Sequence, residues 1–487
     1  MMTSNKKIVS GVFWSFGERI IAQIVSLIVS IILARLLSPK EYSVVAIVMI
    51  FITIANVFVS SGFGVALIQK KDADDLDFST TLLSSLFLSI ILYLILFFVA
   101  ISIARFYENE DLIIIIRIMS LRLIFASINT IQHAFISKQM AFKKFFFSTI
   151  IGTIISAIIG IYLAYSGFGV WALIVQYLTN VIIDTIILSI TSGFKLKPAF
   201  SFGRLKTLFP FGSKVLISDL FSSLYSQLRG LLMSKYYTPN DLSYYNQSDK
   251  YSSIFVTNIE TSVNKVVFQS TSDAQDNLED VKSLTRKSIN FSFFILSPIQ
   301  VGLAVTSLIW VPLVLTAKWT PMIPHLMLLC IIYLFNPLIE AHTRVLKSLG
   351  KGNILLVVMI VRYVVGIGLL LMALFFFENP LILTFVGIPT KLIALLFCSI
   401  LSRKFINYSM KEQLSDVIKT ILASIIMAIS VFFVSKIYLD QLYILIIQIL
   451  LGIVVYFVVS IIINRKTLYS LIKWTRNLIR IRQKTVE

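Results

Sequence analysis

Uninterrupted apolar runs of twenty or more residues recur along almost the whole of this chain. Residues 79–104, for example, read STTLLSSLFLSIILYLILFFVAISIA without a single charge. A helix that crosses the ~30 Å hydrocarbon layer needs ~20 such residues. A spanning segment must also satisfy its own backbone, which a helix does internally. The runs are continuous rather than alternating, which excludes a barrel. The fold class is therefore all-α and polytopic, with fourteen spans expected. They lie near 12–34, 42–64, 79–104, 112–134, 145–165, 168–190, 209–232, 244–267, 288–316, 322–345, 354–377, 380–402, 416–437 and 441–463. Composition agrees: 57% of residues are hydrophobic and 14% charged, where soluble domains have about a quarter charged. No loop is long enough to form a separate soluble domain.

Charge placement orients the spans. With the N-terminus inside, the inward segments carry 29 basic residues, among them Lys6, Lys7, Lys70, Lys71, Lys143, Lys144, Arg344, Lys347, Arg403 and seven after residue 464. The outward loops carry six: Arg35, Lys40, Arg105, Lys235, Lys318 and Lys436. This positive-inside asymmetry fits an even number of spans with both termini in the cytoplasm. It also bears on the eighth segment, LSYYNQSDKYSSIFVTNIETSVNKVVF, which is too polar to face lipid. Without that crossing, most later basic loops would lie outside, so it is read as a spanning helix that lines a wet cavity. The net charge of +19 is then topology plus attraction to anionic inner-leaflet lipid, and no nucleic acid is needed. The basic start MMTSNKK leads into an apolar run with no small-residue cleavage site, so it is read as a retained first helix. Cys330 and Cys398 fall within spans and offer no disulfide framework. His133, His325 and His342 lack metal-ligand spacing.

Two stretches two hundred residues apart share one frame: ARLLSPKEYS at 34–43 and SKYYTPNDLS at 234–243. Upstream, SFGERI at 15–20 faces PFGSKV at 210–215; downstream, GFGVALIQK at 62–70 faces SVNKVVFQS at 262–270. The first two spans thus resemble the seventh and eighth. Both copies start inside, so the repeat axis runs along the membrane normal, the mark of a transporter made of two halves. The expected layout is a first six-helix lobe over 1–195, a cytoplasmic linker over 196–208, a second lobe over 209–402, two further spans over 403–463 and a tail over 464–487. The shared Ser/Thr-Pro-x-acid reads as a helix start, with Pro at the first position and an acid in the first turn. In the tail, Leu468, Leu471, Ile472, Leu478 and Ile479 form one helical stripe with Lys466, Lys473, Arg476 and Arg480 off it. That pattern suits an amphipathic helix lying on the inner leaflet.

Several of these stretches resemble the polysaccharide transporter family, the Wzx-type flippases of O-antigen, capsule and exopolysaccharide units. That family shares a superfamily (MOP) with the MATE multidrug antiporters and the lipid II flippases. The resemblance is carried by ARLLSPKEYSVVAI at 34–47, QMAFKKF at 139–145, GFGVWALIVQ at 167–176, LSYYNQSDK at 242–250, VVFQSTSDAQDN at 266–277 and AKWTPMIPHLMLL at 317–329. It implies a MATE-like fold: two six-helix bundles in a V around a central cavity, related by a pseudo-two-fold repeat, plus two C-terminal helices. The implied activity is the transfer of an undecaprenyl-diphosphate-linked oligosaccharide from the inner to the outer leaflet of a bacterial cytoplasmic membrane. The chain departs from the family at Ser43 and Ser243, where Gly is usual, and at Gln269 or Ser270, where Pro is usual. These are loop and packing changes.

Charges within spans are costly and tend to face a cavity or a partner. Eight bases fall there: Arg19, Arg117, Arg122, Arg229, Lys250, Lys265, Arg362 and Lys391. Only six acids accompany them: Glu18, Asp184, Asp219, Asp249, Glu260 and Glu340. The surplus of bases calls for an anionic partner, and a lipid diphosphate supplies one; arginine's planar fork suits phosphate oxygens. By depth, Arg19, Arg122, Lys250 and Arg362 are the expected diphosphate contacts, while the other four can snorkel toward the interface. Tyr245 and Asn246 are expected to stack on and hydrogen-bond sugars. The bland alternative for each base is an ion pair that only sets packing. Ion-driven transport wants a buried carboxyl, for which Glu18, Asp184 and Asp219 are the candidates, with protons or sodium as the coupling ion and no cofactor. The tail offers a docking point for a polymerase or glycosyltransferase, or simply a lipid anchor.

Three other functions compete. A MATE-like cation exporter would favour an acid-lined cavity, against the basic surplus here. A lipid II flippase shares the diphosphate chemistry. An enzyme such as an O-antigen polymerase needs catalytic groups on a sizeable outer loop, and the outer loops ARFYENED and SKYYTPNDLS are short.

Overall fold

A computed structural model describes residues 2–193, 199–273, 277–465 and 467–469. Helices account for nearly all of them, and no strand occurs among the described residues. In chain order they are α1 (Met2–Leu36), α2 (Pro39–Ser60), α3 (Phe63–Gln69), α4 (Asp75–Phe106), α5 (Asp111–Met119), α6 (Arg122–Lys138), α7 (Lys143–Tyr165), α8 (Val170–Thr191) and α9 (Phe202–Tyr236). Then come α10 (Pro239–Asp273), α11 (Leu278–Trp310), α12 (Ile323–Leu334), α13 (Asn336–Ser348), α14 (Gly352–Phe376), α15 (Pro380–Phe385), α16 (Gly387–Ile406), α17 (Met410–Val434) and α18 (Gln441–Ile463).

Eleven helical segments among the described residues are long and apolar enough to cross a membrane. The expected spans at 112–134, 209–232 and 244–267 are not among the eleven; they coincide with α5–α6, α9 and α10. The span at 112–134 is broken at Ser120–Leu121 into helices of 9 and 17 residues, each too short to cross. For α9 and α10 the reason is polarity: Ser, Lys and Asp occur in both, and α10 adds Asn. Both repeat motifs open helices. Ser38 caps α2 in a reciprocal box with Glu41, with Pro39 at the first position. Thr238 bonds Asp241 the same way, its N–H and Oγ1 donating to Oδ2 at 3.0 and 2.6 Å.

The helices gather into two compact units, Met1–Ser243 and Tyr244–Glu487. The expected lobes divided at 196–208. Among the described residues, 199–201 and α9 lie in the first unit, and α17 and α18 lie in the second. Of the tail, only Asn464, Arg465 and Thr467–Tyr469 are described. The expected amphipathic helix otherwise lies outside the described residues.

In the first unit, α7 presents Ser148, Gly152, Ser156, Gly160 and Ala164 at four-residue spacing, all buried. Such a stripe lets two backbones approach closely in lipid, where the hydrophobic effect does not drive helices together. α8 fills the groove, and a Cβ added at Gly160 would stand 2.9 Å from that of Gln176. α9 runs beside α2 and α4. Its inner end is joined to α4 by the Ser201 N–H, which donates to Thr80 Oγ1 at 3.1 Å, and by Arg204, whose Nη2 lies 3.0 Å from Asp74 Oδ2. Its outer end is joined by Lys235 Nζ, which donates to the Phe106 carbonyl at 2.7 Å, and by Ser234, paired with the Tyr107 hydroxyl at 3.1 Å.

In the second unit α11 is the central helix. α17 and α18 are tied to it by polar contacts: Ser297 with Ser424 at 2.9 Å, and the Tyr456 hydroxyl donating to the Phe294 carbonyl at 2.7 Å. At the inner end Lys282 pairs with Glu412 and Arg286 grips Asp416 with two nitrogens, at 2.6 and 2.8 Å. At the outer end α11 loosens into a π-turn, Val311–Leu315, followed by Thr316 at φ 83°, ψ 162°. Thr316 Oγ1 is buried without a partner among the described residues. That conformation is essentially reserved for glycine and costs ~1–3 kcal/mol. Thr316→Gly is therefore expected to stabilise the protein by about 1 kcal/mol after the entropic cost of glycine. Thermal unfolding in detergent checks this, and a lower midpoint would mean that the threonine side chain itself holds the turn.

Candidate functional site

Two groups of polar side chains occur within the first unit. The first is built on the close packing of α7 and α8. Gly152 leaves room for Asp184, whose Cβ would stand 3.5 Å from an added Cβ. Asp184 Oδ2 accepts from Asn129 Nδ2 at 2.7 Å and lies 3.8 Å from His133 Nε2. The His133 ring stacks on Phe145, centroids 4.3 Å apart. Across from it, Glu18 Oε1 accepts from Thr149 Oγ1 at 3.1 Å, within charge range of His133, Arg19 and Asp184. Two of the three expected coupling carboxylates thus come together with a histidine that the sequence reading considered only as a metal ligand. Asn129 and His133 are four apart on α6, so they share a helix face. That spacing was the available signal. Asp219 stands apart from them on α9. It is exposed in a row with Ser222 and Ser226, three and seven residues on. An exposed carboxylate in such a row is poorly suited to lipid and well suited to water.

The second group centres on Arg122, the first residue of α6 after the interruption at Ser120–Leu121. Arg122 is half-buried. Its Nη1 donates to Met49 Sδ at 3.8 Å, and Tyr177 is near enough to feel its charge. Among the described residues it forms no ion pair. Arg19 is exposed on α1 and likewise forms no ion pair there; the adjacent Glu18 carboxylate is turned to Thr149.

In the second unit, polar α10 is packed by specific contacts. Ser248 Oγ donates to the Met322 carbonyl at 2.9 Å, and Gln300 Nε2 to the Ser252 carbonyl at 2.7 Å. Tyr245 is 8% exposed and edge-on to His325, whose Nδ1 bonds Thr384 at 2.7 Å. Asn246 beside it is half-buried. The Tyr333 hydroxyl donates to Asp249 at 2.7 Å, so that acid is engaged away from its neighbour. Lys250 is half-buried and forms no ion pair among the described residues. Arg362 on α14 is half-buried, near Cys398, with Nε unpartnered among the described residues. Glu260, Glu340, Arg344 and Lys391 sense one another's charges nearby. Arg344 donates to Ser288 at 2.9 Å and Lys391 to Asn336. The sequence reading placed Arg344 among inward loop charges, yet it is buried. Its four-residue spacing from Glu340 was the missed sign.

Comparison with known proteins identifies the family and the fold. A family model described as "Polysaccharide biosynthesis protein" matches residues 32–324. The chain is 24% identical over 363 residues to the teichuronic acid biosynthesis protein TuaB of Bacillus subtilis (strain 168), covering 73% of this chain and 74% of that protein. It is 24% identical over 343 residues to the lipopolysaccharide biosynthesis protein WzxC of Escherichia coli (strain K12), covering 69% and 68%. Among solved structures, the lipid II flippase MurJ in an inward closed conformation superposes with a TM-score of 0.77 at 17% identity, over 94% of this chain and all of that one. At that identity the likeness speaks to the fold.

Proposed function

The chain belongs to the polysaccharide biosynthesis protein family, and from that premise we propose that it is a flippase for an undecaprenyl-diphosphate-linked oligosaccharide. Its relatives are named for the biosynthesis of teichuronic acid, lipopolysaccharide and succinoglycan, the last as a transport protein. The finer reading concerns cargo and mechanism. The observation that carries it is Arg122, a half-buried guanidinium with no acid to neutralise it among the described residues. A buried charge without a partner is expensive, and a diphosphate would compensate it with two aligned hydrogen bonds. Arg19, Lys250 and Arg362 are assigned the same kind of contact. Tyr245 shapes the wall through its packing, and Asn246 is the sugar-facing amide beside it.

The cycle is one of alternating access driven by an ion, with Glu18 and Asp184 as the carrier pair and Asp219 as a further candidate. Either a proton or sodium would serve. The protein is assigned to the bacterial cytoplasmic membrane with both termini inside, where a polymerase or glycosyltransferase would hand over or receive the cargo.

A leaflet assay tests this. Deleting the gene should leave lipid-linked oligosaccharide on the cytoplasmic side and abolish surface polymer, and the wild-type gene should restore both. Normal polymer with raised sensitivity to cationic drugs would sink the reading in favour of a drug exporter.

A further inference from the structure

α9 opens the second sequence repeat, yet it packs along α2, α3 and α4 of the first unit, Gly230 lying against Ile50 of α2. Toward its C-terminal end, Lys235 binds the Phe106 carbonyl and lies 4.3 Å from the centroid of its ring. Closer to its N-terminal end, Gly212 meets Gly62 backbone to backbone. At the inner end stand Ser201, Arg204 and Leu208. Between the Gly62–Gly212 contact and the inner end lies Pro210, which removes the N–H that would bond the Lys206 carbonyl and so weakens the helix at that point.

The inner contact is built to release. Asp77 is 0% exposed and must keep a cation, but Lys70 already supplies it at 2.6 and 2.7 Å. Lys138 Nζ in turn holds the Lys70 and Lys71 carbonyls, which fixes that lysine in place. Arg204 is the second cation, 3.0 Å from Asp74 and 3.6 Å from Asp77, and 38% exposed. Its departure orphans no buried charge, and a half-exposed ion pair contributes little. One apolar knob, Leu208, seats among Ala66, Leu67, Phe78, Leu82, Ile131 and Ala134. Withdrawing a single knob from a packed pocket is a two-state event rather than a gradual one.

We propose that the segment Ser201–Phe209 is a latch on the inner face, which unseats from α4 by turning at Pro210 and the Gly62–Gly212 contact. The proposal stands on the geometry of the first unit, and its role in admitting cargo rests on the flippase reading. Acid does not drive the release. The Asp77 backbone N–H, helped by the Arg204 charge, holds the Asp74 carboxyl below the usual carboxylate range, so the pair stays charged throughout the physiological window.

The test uses full-length protein with Cys330 and Cys398 replaced by serine, in lipid vesicles. Spin labels at Lys71 and Lys206, both exposed, report the distance across the latch. Two distance populations are expected in the parent. Arg204→Glu should shift the balance at least threefold toward the longer one, and the swap Asp74→Arg with Arg204→Asp should restore it. A disulfide between Thr80→Cys and Ser201→Cys, formed with an oxidant in the vesicles, should leave only the short distance and slow transfer of lipid-linked oligosaccharide across the vesicle membrane at least tenfold until it is reduced. One unchanging distance in all variants overturns the latch, as does full transfer of lipid-linked oligosaccharide by the cross-linked protein. The distance readout needs no cargo. Two populations in a protein whose deletion leaves the leaflet assay normal would keep the latch and refute the flippase reading.

Discussion

Arg122→Leu is expected to lower surface-polymer export by about 10- to 100-fold at wild-type abundance while leaving the purified protein as stable as before or more so. The two halves of this expectation have opposite signs for one reason. A half-buried guanidinium held against Met49 with no acid beside it among the described residues is a cost in the empty protein, and an apolar residue of similar bulk relieves it. The same guanidinium becomes an asset when a diphosphate arrives, since hydrogen bonds to a charged group contribute ~1.5–3 kcal/mol each. Arg122→Lys should keep part of the activity, because the charge remains and the planar fork is lost. The checks are immunoblotted abundance, thermal unfolding in detergent and surface polymer. A variant that loses stability together with export would show that Arg122 holds the bundle together, and the cargo assignment would fall.

Gly62→Ala is expected to destabilise the protein by about 3 kcal/mol or more, enough to deplete it from the membrane. Two effects add. Gly62 has φ 93°, ψ −73°, a backbone conformation closed to residues with a Cβ. The added Cβ would also stand 2.6 Å from the Gly212 carbonyl oxygen, and backbone cannot rotate aside as a side chain can. Gly167→Ala separates the two effects. It has φ 80° but nothing within 4 Å of the added Cβ, so it should lose only ~1–2 kcal/mol. Equal losses in the two variants, read as thermal midpoints, would remove the close approach of α3 and α9 as the cause.

Long apolar runs such as those of α4, α7 and α18 were legible from composition alone, because in lipid the backbone leaves a chain few other choices. The Ser-Pro-x-Glu and Thr-Pro-x-Asp helix starts were legible because capping is local chemistry. The gathering of Glu18, His133 and Asp184 was not read. It depends on α7 lying close against α8, and the Ser148–Ala164 stripe that permits this was visible but unused. Arg344 was misplaced for a related reason. Charge counting assigns a residue to the nearest loop, whereas Ser288 and its charged neighbours give it a place inside. The membership of α9 could not be read from the repeat, since a repeat records ancestry and packing follows complementary surfaces.

That membership has a consequence for biogenesis. When α8 has just left the ribosome, the first unit is unfinished, because the face of α2 and α4 that α9 will cover is still bare. The missing helix ends at Tyr236, and at ~5–20 residues per second the wait lasts about 2–9 seconds. During that interval Asp77 and Thr80 sit at an uncovered edge near the start of α4. An insertase that retains the nascent helices until Tyr236 has emerged would protect them, and a gene interrupted between the repeats would yield a first half that never closes.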